Sequence, residues 1–549
     1  MLTPILRDAL ARSLRANGWT TGAAIPLETP RVAEHGDYAT NLALLIAKDV
    51  KLPPRQVAEK LVAALDLGPD ALEESSVAGP GFINFRLSLA ALRNELIEIV
   101  NQGAAYGTWP ARGTPPVLVE FVSANPTGPM NIVNARAGAV GACLVRLFRA
   151  AGMGADGEFY VNDMGRQAEL LGASVMARFR ERLGLQVAFP EEGYQGDYIA
   201  GIAAAIPEAE GRAAIVQGDT AWFRAFALER MLEGQQRDLA AYGVTFDRWS
   251  RESALHASGA LEQTIAELDK RGHVYEQDGA RWFRSTTFGD EKDRVLVRAN
   301  GEPAYFLADI AYHLDKARRG YGRVLDLWGP DHHGHIKRVS AALEALGQPA
   351  GFFEVMIVQF VRLLSKGELV KMSKRAGEFI TLTDLIEDVG ADCAKFFFLM
   401  RSTSAHLDFD LDLAREQSSD NPAYYVQYAH ARVASLVRVA GEKDLRPPTE
   451  RGEQERLVGR LAEPEERALL RQLGQFPDIV LGAAEAEEPQ RVTAYLAQVA
   501  GAFHQFYHHH RVVTEDVDLS RARLLLAQGT QQVIANGLGL LGVSAPERM

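Results

Sequence analysis

The stretch VLVEFVSANPTGPMNIVNARAGAVGACLVRLFRAAG, residues 117–152, decides the fold. Its opening VLVEFV (117–122) is an unbroken apolar run, the pattern of a short strand buried on both faces in a parallel sheet. SANPTGP (123–129) is built from residues that interrupt regular structure. The alanine-rich segment from about 131 has the composition of a helix, closed by Gly152. Strand, Gly/Pro loop and helix in that order form the opening unit of a doubly wound, Rossmann-like α/β domain. The N-terminus of such a helix offers free backbone N–H groups and a partial positive charge, which together favour phosphate.

Outward from this unit, EFYVND (158–163) reads as the next strand and RVLDLWG (323–329) as a later one. Charged helices and a hairpin in YEQDGARWFRST (275–286) separate them, which predicts an inserted subdomain over about 190–300. The expected partition is a small α/β domain at 1–110, the parallel-sheet domain at 111–415 and an all-helical bundle at 416–549. VAGPGFINFRL (77–87) reads as a strand after a turn, and YGTWPARGTPP (106–116) as a linker. Beyond about 380 strand signals fade and periodic helices run to the end.

Composition bounds the function. The chain has 549 residues, 47% hydrophobic and 24% charged, enough core for several domains. No apolar run approaches the ~18–20 residues of a membrane span, and MLTPILRDALARSLRANG at the N-terminus is an amphipathic helix instead of a signal peptide. Two cysteines, Cys143 and Cys393, lie far apart without a CxxC partner, which argues against disulfides or cysteine-held zinc. A cytoplasmic protein with no membrane contact is expected. The net charge of −12 predicts weak non-specific nucleic-acid binding, so DNA is not an expected partner.

The second chemistry-bearing segment is VKMSKRAGE (370–378). A bare KxxK is a solvated loop in most proteins, but complete KMSK after a sheet domain is specific. Lys371 and Lys374 there can neutralise a triphosphate as it expels pyrophosphate. With HGDYATNLAL (35–44), VAGPGFINF (77–85), EFVSANPTGP (120–129), EFYVNDMGRQ (158–167), FGDEKDRVLVRANG (288–301), YFLADIAYHLDK (305–316), WGPDHHGHI (328–336), NPAYYVQYAHAR (421–432) and LGVSAPERM (541–549), the chain resembles the arginyl-tRNA synthetases, class I aminoacyl-tRNA synthetases, nearly end to end.

That resemblance implies arginine activation by ATP with Mg²⁺, then transfer to the 3′ end of tRNA(Arg), by a monomer. It matches Lys371, Lys374, Asn131 and Asn134 with the catalytic positions. Tyr305 and Asp309, i and i+4 on a helix face, match the substrate side chain, where a carboxylate takes a guanidinium fork. Glu120 is a further candidate. Ser123, Asn125 and Gln359 match positions that hold the amino-acid ends, and Pro129, Val133, Gly329, Asp331, His333 and Met372 match positions around ATP. Tyr38, Asn41, Tyr424 and Met549 are implied to meet tRNA. No metal held by the protein itself is expected.

One departure stands out. The family pattern is His-x-Gly-His, and this chain has Asn131-Ile132-Val133-Asn134. Losing one transition-state donor typically costs about 10²–10³ in rate, yet an asparagine amide still donates two hydrogen bonds. Val133 adds β-branched bulk where the family glycine lets adenine approach. An active synthetase with weaker donors is expected; the alternative is a catalytically impaired, synthetase-like tRNA-binding protein. Three other signals read as decoys. Asp331-His332-His333 lacks the aspartates of a metal-dependent phosphoesterase, His508-His509-His510 reads as a solvated helix face, and the GxGxxG at 537–542 has no strand before it.

Overall fold

The computed structural model describes residues 2–22, 25–30, 32–370 and 380–549, without the side chains of Ala33, His332 and His333. At its centre is a five-stranded, wholly parallel sheet in the order Phe353–Ile357, Arg323–Trp328, Val117–Glu120, Ala155–Val161, Arg248–Arg251. The chain leaves the middle strand towards one edge and later returns on the other side of it. The crevice beyond Glu120 and Trp328 is therefore the topological switch point, where such sheets bind ligands. The helix Ile132–Ala150 follows the middle strand and is buried along most of its length. That burial explains its small residues: a Cβ on Gly141 would stand 2.1 Å from the Phe121 ring.

The predicted insertion is two pieces. Helices Gly165–Arg182, Asp197–Ala204, Glu208–Gln217 and Thr220–Ala241 share one apolar cluster that begins at Ala168, well before 190. A separate antiparallel sheet joins Val274–Gln277, Ala280–Phe283 and Arg294–Val297. Between them Arg248–Arg251 returns to the parallel sheet. RWSR is an edge strand with two exposed arginines, so it lacks the apolar run that marks its neighbours.

The N-terminal sheet has the order Tyr38–Thr40, Phe82–Leu87, Leu72–Ala78, and Gly79–Gly81 is the turn of a hairpin whose first strand ends at Ala78. Strands do not end at 380: Leu407–Asp410 pairs in parallel with Val361–Ser365. Helices from Pro422 to Leu541 form the bundle, and the GxGxxG run is the end of the last one, capped by left-handed Gly542. No described helix is long and apolar enough to cross a membrane.

The linker 106–116 is fastened to the bundle. Trp109 Nε1 donates to Pro477 O at 2.9 Å, and Tyr106 is buried with its hydroxyl on Glu95 at 2.8 Å. The next residue, Asp478, accepts from the Thr3 hydroxyl and, at 2.9 Å, from the Tyr38 hydroxyl. The N-terminal domain is thus seated on the C-terminal bundle.

Candidate active site and RNA-facing surfaces

The C-terminal ends of all five parallel strands converge on one crevice. Glu120 ends the middle strand and Ser123 follows it, Tyr160 lies near the end of the next and Asp163 follows it, and Glu252, Gly329 and Gln359 follow the edge strand, the strand Arg323–Trp328 and the last strand. The helix Tyr305–Arg318 brings Tyr305 and Asp309 to the same place. Tyr305 is 62% exposed, and its hydroxyl lies where a Cβ on Gly165 would stand 3.0 Å away; with φ +76° besides, that position admits only glycine readily. Asp309 Oδ2 is hydrogen-bonded to His335 Nε2 at 2.8 Å. Glu252, absent from the sequence expectations, is buried; burial and then the nearby Asp309 carboxylate hold its carboxyl above the usual range, although His256 opposes them. Its signal was weak because it follows a strand that does not look like one.

Beneath the crevice lies a buried charge network. Lys316 is 0% exposed, and its ammonium donates to Glu120 Oε2 and, at 3.1 Å, to Asp326 Oδ1. Burial alone would lower this lysine, but Asp326 and Glu120 outweigh that and hold it above the ordinary value. Asp326 is held below its usual value by Lys316 and His313 against its own burial. Glu120 is raised by burial and by Asp326. Oxygens of Glu120 and Asp326 and a His313 nitrogen lie within 4.8 Å of one another, a cluster of metal-ligand types, but the lysine ammonium is already bonded to both carboxylates. Glu120 Oε1 accepts from Ser123 Oγ at 2.9 Å, and Ser123 Oγ in turn accepts from Tyr160 N at 3.1 Å. Both Glu120 oxygens are thus committed within the protein.

At the start of the helix Ile132–Ala150, Asn131 and Asn134 form a reciprocal capping box. Asn131 Oδ1 accepts from Val133 N (2.9 Å) and Asn134 N (3.2 Å), and Asn134 Oδ1 accepts from Asn131 N (3.0 Å). This corrects the expectation of free backbone donors: two first-turn N–H groups are already satisfied. With each carboxamide oxygen on the backbone, the two side-chain amide groups make no hydrogen bond among the described residues and remain as donors. Val133 is half-buried at the second helical position. One turn on, Arg136 is wholly buried, without a carboxylate partner among the described residues. It donates to Gln359 O (2.8 Å), Ala405 O (3.1 Å) and Ser402 O (2.9 Å), and burial lowers it to about 10.

Lys371, Met372 and Lys374 lie outside the described residues, as does the side chain of His333. The segments flanking that loop are described. Val370 N donates to Leu363 O at 2.9 Å on one side; on the other, Thr381 pairs with Asn131 and Leu382 N donates to Met130 O at 2.9 Å. Thr381 and Leu382, which follow the KMSK segment in sequence, are thereby fastened to the NIVN turn. Asn125 is exposed, its amide donating to Gln167 Oε1 at 2.8 Å; Pro129 and Gly329 are half-buried and Asp331 exposed.

Of the RNA candidates, Tyr38 is corrected: 2% exposed and bonded to Asp478, it presents no ring to a nucleic acid. Both faces of its short strand are covered, so alternation does not bring it out. Asn41 is half-buried, with its Oδ1 unpartnered among the described residues. Tyr424 and Tyr428 stack at 6.0 Å and line a 710 Å³ cleft with Arg432, His504 and Tyr507. The Arg432 guanidinium lies 4.4 Å from the Tyr507 ring centre and 5.5 Å from that of Tyr428. Met549 is exposed. His508 and His509 are exposed, and His510 meets Glu465 at 2.9 Å.

Comparison with known proteins places names on these parts. Residues 2–87 match the arginyl tRNA synthetase N terminal domain, 96–396 the catalytic domain of class I (R) tRNA synthetases, and 426–549 the DALR anticodon binding domain. The arginine–tRNA ligase of Desulfosudis oleivorans is 48% identical over 96% of this chain and 95% of its own. That of Desulforamulus reducens is 45% identical over 99% of both. The Thermus thermophilus arginyl-tRNA synthetase structure superposes with a TM-score of 0.78 over 100% of both chains at 24% identity, a likeness of fold.

Proposed function

The chain belongs to the arginyl-tRNA synthetases, and from that premise we propose how its own residues divide the reaction. The family reaction joins arginine to tRNA. In our reading the arginine carboxylate attacks the α-phosphate of ATP, which arrives with Mg²⁺ as substrate, and expels pyrophosphate; a 3′-terminal hydroxyl of the tRNA then attacks the acyl carbon and releases AMP. Asp309 and Glu252 take the guanidinium, Tyr305 closes over it, and Ser123, Asn125 and Gln359 hold the amino-acid ends. Two carboxylates suit a planar fork of N–H donors better than a compact ammonium. Glu120 acts through Ser123, since Lys316 already engages its second oxygen.

For phosphate, the free amide groups of Asn131 and Asn134 act as neutral donors, and Lys371 and Lys374 supply charge from the adjoining loop. Pro129, Val133, Gly329, Asp331, His333 and Met372 surround the nucleotide. The observation that carries this assignment is the pairing of Asn131, at the start of the helix that bears the amides, with Thr381, seven residues after Lys374 in sequence. Catalysis is then positioning plus electrostatics. The aromatic cleft with Arg432 stacks unpaired bases of tRNA(Arg), with Tyr424 on its wall and Met549 beside the same domain. Asn41 meets the tRNA elsewhere. The full-length likeness to ligases leaves a binding-only role without support.

The test is arginine-dependent exchange of labelled pyrophosphate into ATP, with and without tRNA. The unaltered chain is expected to exchange; no exchange under either condition would refute the assignment. Asn131→His, Val133→Gly and Asn134→His together should raise the rate, because imidazole donors replace amides. The same change should lower stability by about 1–2 kcal/mol through loss of the capping box.

A further inference from the structure

We propose that the helices Asp197–Ala204 and Thr220–Ala241 form a bracket that positions the loop 123–129, with Tyr198 and Gln235 as its positioning residues. The inference rests on the reaction assigned above. Three carbonyl groups of the loop are held by side chains from these helices. Gln235 Nε2 donates to Asn125 O at 3.1 Å and to Gly128 O at 3.4 Å, and the Tyr198 hydroxyl donates to Thr127 O at 2.9 Å.

The loop needs such support. Val122 and Ser123 enter it with φ of 68° and 37°, the former a β-branched residue in the left-handed region. Backbone of this kind persists only where its surroundings over-determine it. Pro126 and Pro129 have no N–H to give, so the loop has few donors of its own.

The orientation of Gln235 is informative. It is 1% exposed, and its Oε1 has no hydrogen-bond partner among the described residues. A flipped amide would set that oxygen against two carbonyl oxygens, so the unsatisfied acceptor follows from presenting both N–H groups to the loop. One turn further along the same helix, Asp238 Oδ1 accepts from Thr383 Oγ1 at 3.3 Å, two residues past the Thr381 that pairs with Asn131. A single helix face therefore touches the segments beside both signature loops. A 390 Å³ cavity lined mainly by the two helices, with Pro129 of the loop at its wall, lies beside these contacts.

The test uses Tyr198→Phe, Gln235→Met and their combination in the full chain, with pyrophosphate exchange in the presence of tRNA, filter binding of tRNA, and thermal melting. Each of the two side chains is expected to contribute about 3–10-fold. The double variant should thus lose about 10–100-fold in exchange kcat/KM for ATP, with tRNA affinity within twofold and the melting temperature little changed. Exchange constants within twofold of the unaltered chain would overturn the bracket. So would a loss matched by a fall in melting temperature and in tRNA affinity, which would make these residues merely structural. Absence of exchange in the unaltered chain would instead strike the assigned reaction.

Discussion

Replacing Lys316 by Met removes the one ammonium between Glu120 and Asp326 and leaves two carboxylates buried without it. Methionine keeps the length and the apolar stem, so cavity effects are small. Taking one partner from a buried ion pair typically costs about 3–5 kcal/mol. With Lys316 0% exposed and shared by two acids, the upper part of that range is expected. For the catalytic domain, residues 96–396, roughly 2.1 cal/mol/K per residue makes 1 kcal/mol worth about 1.6 °C, so the melting temperature should fall by about 6–8 °C. The pH dependence fixes the cause. Without the lysine, the Glu120 carboxyl, already raised by burial and by Asp326, rises further. A carboxyl raised in the folded state destabilises it when ionised, so that penalty is present at high pH and fades as protons bind. The lysine, raised in the folded state, contributes its full stabilisation below its unfolded value of about 10.4, hence across this whole range. The gap between the two proteins should therefore narrow from pH 8 to pH 5.5, as read by calorimetry. A deficit below about 1 kcal/mol, or one equal at both pH values, would refute the reasoning. Adding Glu120→Gln and Asp326→Asn should recover most of the loss.

Three further outcomes are expected. Asp309→Asn should reduce kcat/KM for arginine by about 10–150-fold, the worth of a hydrogen bond to a charged group; an unchanged KM for arginine removes Asp309 from recognition. Arg432→Ala with Tyr428→Ala should raise the KM for tRNA at least tenfold, at about 1–3 kcal/mol per stacked base, while exchange at saturating tRNA stays level; parallel losses in both would place the cleft outside the RNA surface. Burial pushes the Cys143 thiol up to about 12 and the Cys393 thiol up to about 11, so the native protein at pH 8 should take up iodoacetamide only after unfolding. Rapid labelling of the folded chain would contradict that protonation state.

How much was legible in the sequence depends on where each element sits. VLVEFV and EFYVND are strands in the interior of the sheet, so both faces are apolar and the run is plain. RWSR is its edge, and LDFD at 407–410 edges a smaller sheet; each carries two charges in four residues and shows no run. Missing the first also hid Glu252, which stands immediately after it. Asn131 and Asn134 were legible as residues but not as geometry, since only the fold turns their oxygens to the backbone. Tyr38 failed for a related reason: a tyrosine in a three-residue strand carries no mark of the helix, 440 positions later, that covers it.

That separation also bears on how the chain comes into being. Asp37 and Tyr38 leave the ribosome well before Arg471 and Asp478, which meet them at the interface. At about 5–20 residues per second, 440 residues take roughly 20–90 s. Through that interval the N-terminal domain stands without its seat, its docking side chains facing water, and the molecule closes only when the last domain arrives.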